Sequence, residues 1–312
     1  NDNSSVSLRV TLQALHLLVQ IEGSTSHFTE SCSMKPTAEP TLELFHAAPS
    51  GPSRPVDLIF VHGISAGAWL WQDGALDFFS AKGYRSWSLS LSGHGGSTSD
   101  KPLAHLRLED YAQDLATALD EIDRPTVVIA HSLGGAVAQK LMSRGHRTAG
   151  MALVCSVPPY GLMRASVEMA IKKPHLWREM SVYCLHGLAA ADMEVIRSGL
   201  FPTGIEDDVF NRLAGKLQDE SFLAMSEASV SWPPFAAPPG PRPDLLVIGG
   251  AEDCFVPPLD TFMTAWWYGT QAHVIPKAGH MLMYEPAGQI AAQTILKWLE
   301  RLTEAPAGRV SQ

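Results

Sequence analysis

The sequence predicts an α/β fold: a mostly parallel central sheet with helices on both faces and a helical cap inserted between two of its strands. Three observations predict it. Short apolar runs rich in Val, Ile and Leu recur along the chain, continuous rather than alternating, as strands buried on both faces require. Segments of helical period separate them. Between residues 157 and 240 this alternation stops, and helix-like segments follow one another up to a proline-rich exit. A chain of 312 residues that is 46% hydrophobic is long enough for one large α/β core and such an insertion.

Residues 1–40 form an N-terminal extension of open purpose. Within it Leu8, Val10 and Leu12, then Leu17, Val19 and Ile21, alternate as in a strand or an extended segment packed on the domain. The core (residues 41–156 and 241–312) opens with a strand in "TLELFHAA". A Pro/Gly-rich loop, "PSGPSRP", leads to a buried strand in "VDLIFVHG". "GALDFFSAKG" is a helix stopped by Gly83. "YRSWSLSLSGHGGS" runs from a strand into a glycine-rich loop. "LEDYAQDLATALDEI" is amphipathic, with Tyr111, Leu115, Ala118, Leu119 and Ile122 on one face and two acids in its first turn to suit the helix dipole. The strand "PTVVIAHS", the helix "LGGAVAQKLMSRG" and the strand "TAGMALVCS" complete the first half.

The cap (157–240) contains "GLMRASVEMAIKK", "DMEVIRSGL", "DDVFNRLAGKLQ" and "SFLAMSEASV", and ends in "WPPFAAPPGPRP". A strand in "DLLVIGG", a helix in "PLDTFMTAWWYG", a last strand in "QAHVIP" and a final helix in "AGQIAAQTILKWLERL" close the chain. Repeated strand–helix alternation implies right-handed crossovers, and any active site then lies at the carboxyl ends of the strands.

Composition narrows the partners. The net charge is −9 with no Lys/Arg cluster, which argues against nucleic acid. No apolar run reaches the length of a transmembrane helix, so no stable membrane insertion is expected. Cys32, Cys155, Cys184 and Cys254 are scattered, without zinc-ligand spacing, and read as reduced thiols, one disulfide staying open; no metal and no cofactor are expected. These features predict a cytoplasmic protein. Secretion stays open, because the sequence starts without an initiator methionine. The oligomeric state is not legible.

Ser132 stands where the strand "PTVVIAHS" turns sharply into a helix. A nucleophile at such a turn needs small residues two before and two after it, here Ala130 and Gly134. It projects at the amino end of the next helix, where free N–H groups favour an anion, and the N–H of Leu133 faces a developing oxyanion. The plainer alternative is that Ser132 is only a helix N-cap. A serine hydroxyl also needs a base, and the base needs an orienting acid. Asp253 and His280 follow the strands "DLLVIGG" and "QAHVIP", in the chain order Ser, Asp, His. Gly63 and the N–H of Ile64 after "VDLIFVHG" offer a second oxyanion donor. His131 is expected to point away from the nucleophile, and the loop "SGHGGS" that carries His94 to shape the rim of the site.

With "VHG" at 61–63, "SGHGGS" at 92–97, "AHSLGG" at 130–135, "GGAEDCFVP" at 249–257 and "AGHMLMYEP" at 278–286, the chain resembles the α/β-hydrolase fold superfamily over roughly residues 41–303. Ala130 departs from the usual G-x-S-x-G pattern. The resemblance implies Ser132 as nucleophile, His280 as base, Asp253 as its partner, and Ile64 and Leu133 as backbone donors. It suits a serine hydrolase of small or medium apolar carboxylic esters working through an acyl-enzyme. A lyase, a cofactor-free oxygenase, an acyltransferase or thioesterase, or a ligand-binding protein with little turnover are the alternatives. A serine nucleophile speaks against dehalogenase and epoxide hydrolase chemistry, which use a carboxylate in this fold. Tyr160 and Trp177, among the cap's aromatic residues, are expected to line the pocket; most of the other rings should form the cap's own small core.

Overall fold

A computed structural model describes residues 40–304 apart from 73, 232–233 and 236–241. The alternating apolar residues of the N-terminal extension, Cys32, Trp232 and most of the proline-rich exit lie outside the described residues.

Among the described residues seven strands form one sheet: β1 (Leu44–Ala47), β2 (Asp57–Val61), β3 (Ser86–Leu89), β4 (Thr126–His131), β5 (Gly150–Val154), β6 (Asp244–Gly250) and β7 (Ala272–Ile275). Their spatial order is β1-β3-β2-β4-β5-β6-β7. All neighbours are parallel except β1, which runs antiparallel on β3 at the edge. Every residue of β2, β4 and β5 is buried. This accounts for their continuous apolar sequence, since helices cover both faces.

Side chains alternate across the sheet with period two. On β4, Val128 and Ala130 pack with Tyr111, Leu115, Val137 and Leu141 on one face. Val127 and Ile129 pack with Phe60, Trp71, Phe79 and Leu299 on the other. The first layer comes from α3 (Leu108–Glu121) and α4 (Leu133–Ser143), the second from α1 (Trp69–Gln72), α2 (Ala75–Ser80) and α11 (Gly288–Glu304). Burying one such side chain contributes about 1.5–3 kcal/mol, so these two layers fix the strand ends in space.

From β2 the chain moves to β3 on one side, then crosses back over β2 to β4. The loops after β2 and β4 therefore diverge from adjacent strands, which opens a crevice at this switch point. Among the described residues five α-helices lie between β5 and β6: α5 (Met163–Lys172), α6 (Pro174–His186), α7 (Met193–Leu200), α8 (Asp207–Ala214) and α9 (Phe222–Ser229). The helix α6 was not anticipated from the sequence. His175, Arg178 and Ser181 interrupt its apolar residues, so no clean stripe marks it. Two small clusters hold the insertion together, Tyr183 with Ile196 and Met225, and Phe201 with Phe210 and Leu213. The last core helix is α10 (Pro258–Trp267), beside β6 and β7.

Candidate active site

The backbone of Ser132 is left-handed, with φ 52° and ψ −117°. A non-glycine residue holds such a conformation only where its surroundings over-determine it. Here its N–H donates to the Val154 carbonyl (3.1 Å), and its own carbonyl accepts from Gly135 (3.0 Å) and Val157 (3.1 Å). The turn is packed too tightly for a side chain at position 134. A Cβ on Gly134 would stand 2.4 Å from the carbonyl oxygen of His62. Ala130, at the position usually held by glycine, is buried in the core and fits.

Asp253 and His280 reach Ser132 from the ends of β6 and β7. His280 Nε2 is 2.9 Å from Ser132 Oγ, and His280 Nδ1 is 2.8 Å from Asp253 Oδ2. The other carboxylate oxygen, Oδ1, accepts the N–H groups of Phe255 and Val256, both at 2.9 Å. An ionised carboxylate only accepts, so the imidazole proton sits on Nδ1 and Nε2 presents its lone pair to the serine. The loop carrying His280 is itself held: Glu285 accepts from Gly279 N (2.5 Å) and Thr203 Oγ1 (2.8 Å). All three residues of the relay are buried.

Ile64 and Leu133 line the same cavity as Ser132 and His280. Neither backbone N–H has an acceptor among the described residues. Leu133 opens α4, where first-turn N–H groups lack partners by construction. The cavity measures about 430 Å³ and is walled mostly by apolar side chains, among them Met169, Leu188, Ile196, Phe201 and Leu213. That volume suits a small or medium molecule. Trp177 is on its wall, with its indole N–H donating to Ser166 (3.1 Å). Tyr160 is not. Its hydroxyl donates to Asp260 at 2.7 Å, and Arg164 pairs with the same carboxylate. A buried acid outcompeted the cavity for that phenol, which corrects the expectation for Tyr160.

Several polar groups that sequence reasoning left without a role support this site. His62 donates from Nδ1 to Gly63 O (2.7 Å) and accepts the Leu91 N–H at Nε2 (3.0 Å). Burial first, and then nearby His94, push its pKa down to about 3, so it stays neutral and fixes the turn before Ile64. His131 lines the same cavity as Ser132 and bonds through Nε2 to the carbonyl of His280 (3.0 Å). Burial and the adjacent His280 ring lower its pKa to about 3.

His94 is not at a rim. It is fully buried, 3.2 Å from Glu220 of the insertion, because a carboxylate in the interior needs a counter-charge. Glu220 also accepts from Tyr111 (2.6 Å), Ser221 N (2.8 Å) and Ser65 N (3.2 Å). No sequence spacing relates His94 to a partner 126 positions away.

Ligating atoms of His131, Cys155 and His280 lie within 4.8 Å of one another. Both His280 nitrogens are engaged with Asp253 and Ser132, and burial holds the Cys155 thiol well above its ordinary pKa. The trio offers one open donor, His131 Nδ1, which makes a poor metal site. Cys155, Cys184 and Cys254 are free thiols. No helix among the described residues is long and apolar enough to cross a membrane.

Comparison with known proteins agrees with this geometry at the level of the fold. The chain is 28% identical over 251 residues to the dihydrolipoyllysine-residue acetyltransferase component of an acetoin cleaving system from Pseudomonas putida. The match covers 76% of this chain and 62% of that relative, so the chain spans about three fifths of the relative's length. A thermophilic esterase from Thermogutta terrifontis is similar in structure, with a TM-score of 0.60 and 20% identity, over 85% of this chain and 94% of the esterase. A bromoperoxidase from Bacillus anthracis is similar with a TM-score of 0.59 and 15% identity, over 83% of this chain and 96% of the other. The model of the alpha/beta hydrolase family matches residues 58–293. The chain belongs to the alpha/beta hydrolase family.

Proposed function

We propose that the protein is a serine hydrolase that cleaves carboxylic esters of small or medium, mostly apolar substrates through an acyl-enzyme. The observation that carries this reading is the unbroken relay from Asp253 through His280 to Ser132, with its hydroxyl end opening into an apolar cavity beside two N–H groups without acceptors.

The chemistry follows from the proton positions. His280 Nε2 takes the Ser132 proton as Oγ attacks the ester carbonyl. Asp253 stabilises the imidazolium that forms. The N–H groups of Ile64 and Leu133 hold the tetrahedral oxyanion, and each such donor contributes about 10²- to 10³-fold to the rate. His280 then gives the proton to the leaving alcohol. Water repeats the cycle on the acyl-enzyme and releases the acid. The partner in this reading is a small ester, with no nucleic acid and no membrane insertion.

A panel of chromogenic esters, thioesters and amides tests it, with the Ser132→Ala protein as blank. Ester hydrolysis is expected to fall about 10⁴- to 10⁶-fold in the variant. Turnover retained by Ser132→Ala would refute the assignment.

Acyl transfer is the second reading. The acetyltransferase name of the Pseudomonas putida relative favours it, and the same acyl-enzyme serves when an alcohol or thiol replaces water as acceptor. Product analysis with added alcohol separates the two, and it also exposes lyase or oxygenase chemistry, which yields no free acid and alcohol pair.

A further inference from the structure

Away from Ser132 and His280, two hydroxyls meet on the apolar wall of the cavity. Ser65 Oγ lies 2.5 Å from Tyr183 Oη, and both residues line the cavity. Ser65 follows Ile64 on the loop after β2, and Tyr183 comes from α6 of the insertion. The position of Ser65 is imposed. Its φ of 62° is left-handed, and the buried Glu220 carboxylate holds its N–H. Glu220 is fixed in turn by Tyr111, Ser221 N and His94. The pair is therefore a built feature of the wall.

Two hydroxyls carry two protons, and the bond between them uses one. Among the described residues no oxygen or nitrogen accepts the other. A buried O–H without an acceptor is costly, unless whatever enters the cavity supplies one. Burial also raises the Tyr183 pKa, so the phenol stays a donor. Consecutive Cα atoms are about 3.8 Å apart, which puts this donor within a few bonds of a carbonyl held at the Ile64 N–H. Among the described residues no Lys or Arg lines the cavity to neutralise a carboxylate, so the matching acceptor is uncharged.

We propose that Ser65 and Tyr183 form a donor subsite for a second, neutral oxygen of the substrate: an ether, keto or hydroxyl oxygen a few bonds from the carbonyl that Ser132 attacks. The substrate class is thus an oxygen-bearing ester rather than a plain alkyl one. The identity of the attacked carbonyl rests on the hydrolase reading above; the binding of the second oxygen does not.

Matched pairs that exchange one CH₂ for oxygen test this. On the acyl side they are 4-nitrophenyl 3-methoxypropanoate against 4-nitrophenyl pentanoate. On the alcohol side they are 2-methoxyethyl butanoate against butyl butanoate. The readout is the oxygen-to-carbon ratio of kcat/KM, in the wild type and in Ser65→Ala/Tyr183→Phe, which removes both hydroxyls.

The same ratio of Kd values is measured by calorimetry in the Ser132→Ala protein with and without the double change. The ratio is expected to drop about 5- to 10-fold in one pair, the amount that one neutral hydrogen bond contributes. The pair affected shows which side of the ester carries the oxygen. The single variants show which hydroxyl faces it. Ratios within twofold of wild type in both pairs would overturn the subsite. Should the wild type hydrolyse none of these esters, the hydrolase reading fails, and the Kd ratio alone decides the subsite.

Discussion

Ser132 accepts a strained backbone because Val154, Gly135 and Val157 hold it from three directions, and because Gly134 lets α4 press against the end of β2. Asp253 plays the corresponding role for His280. Both carboxylate oxygens are committed, one to two backbone N–H groups and one to Nδ1. Asp253→Asn keeps this shape but offers an N–H₂ group that no longer fixes the proton on Nδ1. It is expected to lower kcat for the best ester about 10³- to 10⁴-fold with an unchanged far-ultraviolet circular dichroism spectrum. A loss below tenfold would remove Asp253 from the mechanism. These residues were legible in the sequence because each stands just past the end of an apolar strand, where local pattern and function coincide. Tyr160 was misread for the opposite reason. Its partner, Asp260, is 100 residues away, and nothing local announces it.

At the scale of elements, the loop after β2 depends on the insertion. Glu220, between α8 and α9, bonds Ser65 N one residue beyond the proposed oxyanion donor and pairs with His94 of the β3 loop. Glu220→Gln keeps the size of the side chain and discards its charge, leaving His94 unpaired. The Ile64 N–H should then wander, and a misplaced donor weakens the transition state more than the ground state. The expected result is a kcat roughly tenfold lower, a fraction of one oxyanion donor, with a smaller change in KM. A rise in KM alone would assign Glu220 to substrate binding. Strand and helix alternation in the sequence revealed the sheet and most of the helices. The reversed direction of β1, itself legible as a strand, and the helix α6 with its broken apolar stripe stayed hidden, since packing partners, and not their own periodicity, define them.

Across the whole molecule, buried histidines couple stability to pH. His62 and His131 have pKa values of about 3 in the fold, against an ordinary value of 6.5. Above the ordinary value both states leave them neutral, and their contribution is complete. As pH falls below 6.5 the unfolded chain takes up protons that the fold refuses. Stability then drops by roughly 1 kcal/mol per pH unit for each ring, down to about pH 3.

His94 acts in the other direction. Burial, the largest single influence, opposes its charge, but the charge and hydrogen bond of Glu220, with the Ser92 carbonyl and Asp114, together raise its pKa. Its contribution is full below the ordinary histidine value and is lost as pH rises through the raised one. Glu220, held below its ordinary pKa against the effect of burial, keeps its contribution above the usual carboxylate range and loses it as pH falls through the lowered value. Urea unfolding at pH 6.5, 5.5 and 4.5 checks the acid side. The wild type should lose stability steadily, and His131→Gln should lessen the slope by roughly 1 kcal/mol per pH unit. An unchanged slope would mean that His131 is not buried as a neutral ring.

The measurement that bears most directly on the central claim is covalent: a fluorophosphonate probe, followed by intact mass and peptide mapping. One adduct is expected, on Ser132, absent from Ser132→Ala and slowed in Asp253→Asn. A wild-type protein in which Ser132 stays unmodified, or a Ser132→Ala protein labelled equally well, would contradict an activated serine at this turn.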